Sequence, residues 1–350
     1  MKEKLKKILT VFVGIIILTA SIICSTYMLR GYTILCGFYA LEKQSVDVVF
    51  VGTSVTFSAF MPMEAWKEYG IVAYDYCTNV QFENSLRYSL VDIQRTQKPK
   101  VIMLDIAPFL YEHNAGNKSW DKDNRELFIK YNLDSRKYSW DRFLLVNEIN
   151  KDINGSFSDY WYYFFDITRY HSNKFTLKRI NNAEKDVLRG YRWLNHNGGE
   201  VFSLDKMFND DGHIVKLNER EQYYLEKLIE TAKRIDSEVI FYCAPIYFWE
   251  TNQFEKKNCV KDYVKSEGLK FVDFSGDIDK IGLDYKTDFW SCNHYDSLGA
   301  EKVTKYFCEY LKNNFDIPDR RNDVRYAGLY SDYEEWIKLK EQYEEEDRTK

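Results

Sequence analysis

The first hydrophobic feature of the chain is an uncharged run from Ile8 to Leu29, preceded by four lysines and closed by Arg30. As a helix rising about 1.5 Å per residue, this run spans the hydrocarbon core of a bilayer, about 30 Å thick. The lysines predict a cytoplasmic N-terminus and an extracytoplasmic remainder. A cleaved signal peptide is the alternative, but its apolar core is usually shorter and ends in small residues. Residues 1–30 are therefore predicted to form a single-pass anchor that places residues 8–29 in the lipid bilayer.

Beyond the anchor, short apolar runs alternate with longer segments of helical character. The short runs have the length of buried strands, and the longer segments are typical of helices. The predicted strands are residues 46–51, 71–74, 101–106, 238–243 and 269–272, and the predicted helices are residues 82–94, 219–235, 253–266 and 296–313. Strands that alternate with helices indicate a parallel sheet covered on both faces. The sequence therefore predicts an α/β fold, a three-layer sandwich with a parallel sheet flanked by helices.

Two parts of the chain depart from this alternation. Residues 112–216 are polar and aromatic, with weak helical patterns at 124–131 and 140–149 and no clear strand. We interpret this stretch as an insertion within one extracytoplasmic domain, residues 31–317. The insertion is either a lid or docking surface, or additional packing without a functional role. Residues 318–350 are charged and predict a helical tail that lies on the surface and frays.

Composition narrows the function classes. The formal charge of −5 is mild and no long basic stretch lies outside the anchor flank, so a nucleic-acid groove is not expected. The seven cysteines are scattered without metal-ligand spacing, so they predict neither a metal site nor a disulfide framework. Free thiols of this kind suggest a low-oxygen, Gram-positive-like bacterium. No phosphate-cradling glycine loop or cofactor motif is present, and we expect no cofactor.

A serine follows the first predicted strand. The run VDVVFV ends at Gly52-Thr53-Ser54, where parallel folds place their ligands. Gly52 permits a sharp turn that presents the Ser54 hydroxyl, and backbone N–H groups at the start of a following helix would face an oxyanion. Most serines in such positions are helix caps, so this feature alone is weak evidence for a nucleophile.

A histidine near the end of the domain supplies a possible base. His294 lies in a loop immediately before the last predicted helix of the domain, and a loop histidine aimed at the strand ends can activate a serine hydroxyl. A structural role is the alternative for an isolated histidine. The other four histidines fall in the insertion and are expected on its surface or in a lid: His113, His171, His196 and His213.

Together these features resemble the SGNH/GDSL hydrolase-like superfamily. The closer resemblance is to its membrane-anchored branch, which includes the D-alanylation protein of lipoteichoic acid synthesis and the alginate O-acetylation proteins. It covers roughly residues 45–110 and 220–312. The matching features are the strand before Gly52-Thr53-Ser54, Pro62, the block from Tyr74 to Gln81 (YDYCTNVQ), the late strand ending at Pro245, and His294 followed by Gly299-Ala300. The resemblance implies an SGNH/flavodoxin-like sheet.

The resemblance also implies roles for individual residues. Ser54 matches the nucleophile and His294 the general base. The oxyanion donors would be the Ser54 backbone N–H and a group in the block from Tyr74 to Gln81, named here the second block. The residues expected to form this oxyanion- and substrate-binding side are Gly52, Thr78, Asn79 and Gln81.

The sequence departs from the family pattern beside the histidine. The acid that orients the histidine usually lies three residues before it, and that position is Ser291. Asp288, six residues before His294, is the nearest upstream carboxylate, and we predict that it orients the ring. A Ser–His pair assisted by Ser291 or water is the alternative, and loss of catalysis is another. Asp296 replaces the asparagine that usually follows two residues after the histidine.

Two functions follow from the resemblance. The first is a serine esterase or O-acyltransferase that acts in the acylation of a cell-surface polysaccharide or teichoic acid, with a membrane-bound O-acyltransferase as partner. The second is a catalytically inactive, tethered glycan-binding or assembly factor of cell-envelope biosynthesis. In the second, aromatic residues of the insertion, such as Trp161 or Trp193, would matter more than Ser54.

Overall fold

A computed structural model of the protein describes residues 2–31, 33–195, 212–248 and 251–349. The chain begins with helix α1 (Lys2–Leu29), which is long and apolar enough to cross a membrane and is compatible with a single-pass anchor. Its last turn, from Thr26 onward, is buried against the rest of the protein. The short helix α2 (Ile34–Ala40) follows and contacts the sheet.

The centre of the fold is a five-stranded parallel sheet in the order β2-β1-β3-β4-β5. The strands are β1 (Val48–Gly52), β2 (Ala73–Cys77), β3 (Val101–Asp105), β4 (Glu238–Cys243) and β5 (Lys270–Asp273). β1, β2 and β3 are buried along their whole length, as expected for apolar strands covered on both faces. From β1 the chain connects to β2 on one side and then crosses to β3 on the other side, so the switch point at which such sheets bind ligands lies between β1 and β3. The prediction of an α/β fold with a parallel sheet is confirmed.

Strand β2 lies further along the chain than predicted. The sequence predicts a strand at 71–74, whereas β2 runs from Ala73 to Cys77 and pairs Asp75 with Phe50. Asp75 is fully buried, and burial raises the pKa of its carboxyl well above the usual value. A buried carboxyl group in mid-strand interrupts the apolar pattern, which explains the shifted boundary.

Helices flank the sheet. Those between β1 and the insertion are α3 (Ser54–Ala59), α4 (Pro62–Tyr69), α5 (Glu83–Thr96) and α6 (Ala107–Leu110). The insertion contributes α7 (Lys122–Asp134), α8 (Trp140–Asp152), α9 (Phe157–Phe164) and α10 (Ile167–Tyr170), and a 3₁₀ turn follows at Leu177–Arg179. The later helices are α11 (Glu219–Ala232), α12 (Thr251–Ser266), α13 (Ile278–Ile281), α14 (Ser297–Asn314) and α15 (Gly328–Thr349), with a 3₁₀ turn at Val324–Tyr326 before α15. α5 packs beside α11, and α3 and α4 pack against α14.

The helices α7, α8 and α9 of the insertion enclose a second apolar core. This core is continuous with α5, because Phe82 and Tyr88 belong to it. Its other buried members are Ala115, Ile129, Leu133, Leu145, Val146, Ile149, Tyr160 and Tyr163. Two of the helices were expected at 124–131 and 140–149, and both extend further. The part of the insertion at residues 196–211 lies outside the described residues.

The C-terminal helix α15 is docked on the domain. Trp336 is only 1% exposed, and its indole Nε1 donates to Glu64 of α4 at 2.9 Å. Leu329 is buried as well. As expected, the tail forms a helix on the surface, and these two large apolar side chains fix its first half to the main core.

A buried charge cluster joins the end of α1 to the insertion. The guanidinium of Arg30 donates twice to Asp166, at 2.9 and 2.7 Å, and also to the backbone carbonyl of Asp134 at 2.7 Å. Arg142 lies 3.5 Å from the Asp166 carboxylate. Burial by itself would raise the pKa of Asp166, but Arg30 and Arg142 hold it well below its usual range. The cluster therefore fixes the direction in which the domain leaves α1.

Candidate active site

Ser54 lies at the carboxyl end of β1, in the turn that begins α3. Thr53 caps the helix, since its hydroxyl accepts from the backbone N–H of Val55. A side chain at Gly52 would collide, because a Cβ there would lie 2.1 Å from Thr56 Oγ1. Thr56 in turn donates to Asp105, at the end of β3, at 2.9 Å. The glycine thus lets neighbouring strand ends approach closely beside the serine.

His294 is carried by a two-stranded hairpin, β6 (Phe289–Ser291) and β7 (His294–Tyr295), that packs beside α3. The hairpin is tied to the segment that follows β4. The Tyr295 hydroxyl donates to the Pro245 carbonyl at 2.9 Å, and the Tyr247 N–H donates to the Cys292 carbonyl at 3.3 Å. These bonds hold the imidazole over the strand ends.

The two side chains meet in a continuous line of hydrogen bonds. Nε2 of His294 lies 2.8 Å from Ser54 Oγ, and Nδ1 lies 2.8 Å from Ser291 Oγ. The Ser291 hydroxyl donates to Asn293 Oδ1 at 3.2 Å, so its oxygen is free to accept from Nδ1–H. In the tautomer in which Nδ1–H donates to Ser291, Nε2 is unprotonated and able to accept the Ser54 proton. Such an arrangement has the geometry of a serine nucleophile with its base.

The His294 ring is kept neutral by its surroundings. Burial lowers its pKa to about 4. The indole of Trp290 stands edge-on to the ring, with centroids 5.8 Å apart, and remains 38% exposed. The free base is therefore the form present at neutral pH, and it is lost only as the pH falls through about 4.

The prediction that Asp288 orients His294 is corrected by its contacts. The Asp288 carboxylate accepts from Lys302 Nζ at 2.6 Å and from the Asp284 backbone N–H at 2.6 Å. The position at Nδ1 is taken by Ser291, which faces His294 across the hairpin. Asp288 instead holds the base of the hairpin, where it faces α14 and not the imidazole.

The second block is only partly at the site. The Thr78 N–H is bonded to the Gly52 carbonyl at 3.4 Å, and Thr78 and Asn79 line a cavity beside α3. Gln81 does not face this cavity, which corrects its predicted role. Its side chain is 1% exposed and donates to Ser89 of α5 at 2.8 Å. The turn at residues 79–80 precedes Gln81, whose side chain lies against α5, where Arg136 of the insertion also donates to Ser89 at 2.7 Å.

The cavity has a volume of about 550 Å³. It extends from the second block to the chain that follows α1, and its walls include Thr33, Ile34, Phe57, Thr78, Asn79 and Arg192. The Arg192 backbone N–H donates to the Phe57 carbonyl at 2.9 Å, which holds this wall against α3. Within the described ranges, no group of three His, Cys, Asp or Glu side chains is placed to hold a metal ion.

The sequence predicts His113 on the surface or in a lid, and of these two the structure contradicts the surface position. It follows α6 and is partly buried, with its backbone N–H bonded to the Pro108 carbonyl at 2.9 Å. Burial lowers its pKa to about 3, a hydrogen bond to the Gln81 backbone raises it, and His294 lowers it further. A second neutral imidazole thus lies near His294. His171 and His213 are exposed, and His196 lies outside the described residues.

Replacing Ser291 by aspartate tests how the ring is held. In Ser291→Asp a carboxylate faces Nδ1, so the pKa of His294 rises and the acid limb of kcat/KM for ester hydrolysis moves upward by about 1–3 pH units. A stronger base and a stabilised imidazolium raise the rate at pH 7 by about tenfold. The pH dependence of p-nitrophenyl acetate hydrolysis by the full chain measures both effects.

The matched control is Ser291→Ala, which removes the hydroxyl without adding charge. We expect a lower kcat/KM, with an acid limb that does not move to higher pH. The reason is that residue 291 then stabilises neither the required tautomer of His294 nor its imidazolium form. An acid limb at the same pH in Ser291→Asp and wild type would contradict contact between residue 291 and the ring.

Comparison with known proteins adds little to this geometry. No protein-family model and no curated protein matches the chain. Among solved structures, the chain is similar to an active-site mutant of a family two carbohydrate esterase from Clostridium thermocellum, with 8% sequence identity and a TM-score of 0.33. The alignment covers 78% of this chain and 65% of that one.

Proposed function

We propose that this chain is a membrane-anchored serine esterase or O-acyltransferase of the cell envelope, with Ser54 as nucleophile and His294 as general base. One observation carries the proposal. Ser54 Oγ lies 2.8 Å from Nε2 of an imidazole whose other nitrogen contacts a hydroxyl oxygen at 2.8 Å. A serine that serves only as a helix cap has no need of a buried, correctly oriented base.

In the first half of the reaction, Ser54 is acylated. Ser54 Oγ attacks the carbonyl carbon of an acyl donor while its proton moves to Nε2 of His294. The tetrahedral intermediate then collapses, and Nε2–H gives the proton to the departing oxygen. The ester of Ser54 remains. The backbone N–H of Ser54 is the proposed oxyanion donor, with the buried Thr78 hydroxyl as the second.

The second half transfers the acyl group. A hydroxyl group of the acceptor attacks the acyl carbon, His294 takes its proton, and Ser54 leaves as the alcohol when the proton is returned. Water in place of the acceptor gives hydrolysis. The ring of Trp290, exposed beside His294, offers an aromatic face to a sugar acceptor.

The acceptor that we propose is a cell-surface polysaccharide or teichoic acid. A domain tied to an apolar helix works at the membrane surface, where acyl groups delivered by a membrane-bound O-acyltransferase would reach it. That partnership comes from the family resemblance. The cavity beside α3 lies between the chain that follows the helix and the proposed oxyanion side, since its walls include Thr33, Ile34 and Thr78, although Ser54 and His294 do not line it.

Ser54→Ala in the organism tests this function. We expect the acyl content of the surface polymer to fall to the level of a strain that lacks the chain, because Ser54 carries the acyl group in every cycle. The acyl content is measured on isolated polymer by base release. Ser266→Ala, an exposed serine on α12, is the control and leaves acylation unchanged. Unchanged acylation in Ser54→Ala at normal protein level would rule out the proposed reaction.

One observation favours the alternative, a tethered binding or assembly factor without catalysis. No carboxylate contacts His294 in the described residues, because Asp288 is bonded elsewhere. Loss of the orienting carboxylate can cost about 10⁴ in turnover. Of the two aromatic residues that this alternative needs, Trp161 is exposed, whereas Trp193 is stacked on Tyr343 of α15. Of these two residues, Trp161 is the more accessible to a glycan.

A further inference from the structure

Residues 174–180, named here the interface segment, are tied to the end of α1. The backbone N–H of Thr176 donates to the carbonyl oxygen of Met28 at 2.8 Å. The guanidinium of Arg179 donates to the carbonyl oxygen of Arg30. Both acceptors lie where α1 enters the domain, so the interface segment is held at the same level as the last turn of α1.

The interface segment presents apolar side chains to the outside. Phe175 is 60% exposed, Leu177 76% and Ile180 49%. Lys174, immediately before Phe175, and Lys178, between Leu177 and Ile180, are exposed as well. Single exposed apolar residues are common on protein surfaces, but three within one short stretch form an apolar edge that water solvates poorly. Alternating large apolar and basic side chains are typical of segments that lie in the boundary between lipid headgroups and acyl chains.

We infer that the interface segment is a second membrane contact, in which Phe175, Leu177 and Ile180 enter the lipid boundary and the lysines meet anionic headgroups. The inference rests on the proposed membrane anchor. Its occupant is the bilayer surface, because the segment is hydrogen-bonded to the end of the helix that would cross the bilayer. The two exposed lysines complement the negative charge of phosphate headgroups, which adds electrostatic attraction to the apolar insertion.

This contact has a consequence for the site. A single helix lets a domain swing freely, whereas a second contact fixes its height and tilt over the bilayer. The Arg30–Asp166 ion pair, with both side chains buried, already fixes the domain relative to α1. The cavity whose walls include Thr33 and Ile34 is then held beside the membrane surface. A donor or acceptor held in the membrane would then lie close to the cavity and to Thr78 in its wall.

The experiment uses the full chain in nanodiscs made from a mixture of neutral and anionic phospholipids, one of which carries a photoactivatable diazirine near the top of its acyl chain. After illumination, lipid adducts are mapped by peptide mass spectrometry. We expect adducts on residues 8–25 and on 174–180. Labelling at 174–180 should be at least about tenfold above that around Val324, which is 88% exposed and lies in the turn before α15. A variant carrying F175S, L177S and I180S keeps the adducts at 8–25 and loses those at 174–180.

The two proposals fail in different ways. Adducts at 8–25 without adducts at 174–180 would overturn the interface segment while supporting the anchor. No adducts at either place would overturn the anchor and the interface segment together. Equal labelling at 174–180 and around Val324 would show nonspecific insertion and would also contradict the inference.

Discussion

Replacing His294 by alanine is expected to lower kcat/KM for ester hydrolysis by at least about 10⁴-fold. The reason is that Nε2, 2.8 Å from Ser54 Oγ, is the group placed to take the serine proton. Without it the Ser54 hydroxyl keeps a pKa far above neutrality and is a weak nucleophile. Initial rates with p-nitrophenyl acetate, measured on the full chain in detergent, test the loss.

Two comparisons make this result specific. His171→Ala removes an exposed histidine of the insertion and should change kcat/KM by less than about twofold. The double variant Ser54→Ala/His294→Ala should be no slower than either single variant, because the two residues act as one unit. Losses that multiply in the double variant would show that the serine and the histidine work independently, against the proposed pair.

Replacing Asp166 by asparagine is expected to lower the free energy of unfolding by about 3–5 kcal/mol. The substitution keeps the volume of the side chain and removes its charge. Arg30, at 2.7 Å, and Arg142, at 3.5 Å, then remain buried without the carboxylate that holds them. Denaturant unfolding of the full chain in detergent, followed by tryptophan fluorescence, measures the difference.

The control for this prediction is an exposed ion pair. Asp236 lies 3.1 Å from Lys98 at the surface, and Asp236→Asn should cost less than about 1 kcal/mol because exposed pairs contribute little. Equal stability of the two variants would mean that water reaches the cluster around Arg30. The domain would then be less firmly fixed to α1 than the contacts indicate.

Much of the sheet could be predicted because its strands are short apolar runs with clear ends. β1 stops at a glycine turn, while β3 and β4 are followed within a few residues by prolines, and their predicted bounds differ from the observed ones by no more than two residues. The predicted position of β2 differs from the observed one because Asp75 lies within the strand. No local sequence pattern distinguishes a buried carboxyl group from one in a turn.

The positions of site residues could be predicted where the local sequence determines them. They could not be predicted where packing between distant parts of the chain determines them. Ser54 follows a strand-glycine turn and His294 precedes a capped helix, so both positions are visible in the sequence. The Asp288 carboxylate is hydrogen-bonded to Lys302, and the Gln81 amide is hydrogen-bonded to Ser89. Both partners come near only when the chain is folded. The same long-range packing places His113 near the site.

The insertion was the least predictable region. Its helices α7 and α8 each bury only part of one face. The apolar core against which these faces pack also contains Phe82 and Tyr88, which belong to a different segment of the chain. Because the periodic pattern is shared between distant stretches, no single stretch carries it in full. From the sequence alone, the buried arginines of the charge cluster would be predicted to lie on the surface, as most arginines do.

Labelling of the purified full chain with a fluorophosphonate tests most directly whether Ser54 is an activated nucleophile. The reagent forms a covalent bond only with a serine whose proton can be removed by a neighbouring base. We expect one adduct, located at Ser54 by mass spectrometry, and no adduct in Ser54→Ala or His294→Ala. Folded protein that remains unlabelled under conditions in which a known serine esterase reacts fully would contradict the proposed catalytic pair and favour a tethered binding factor.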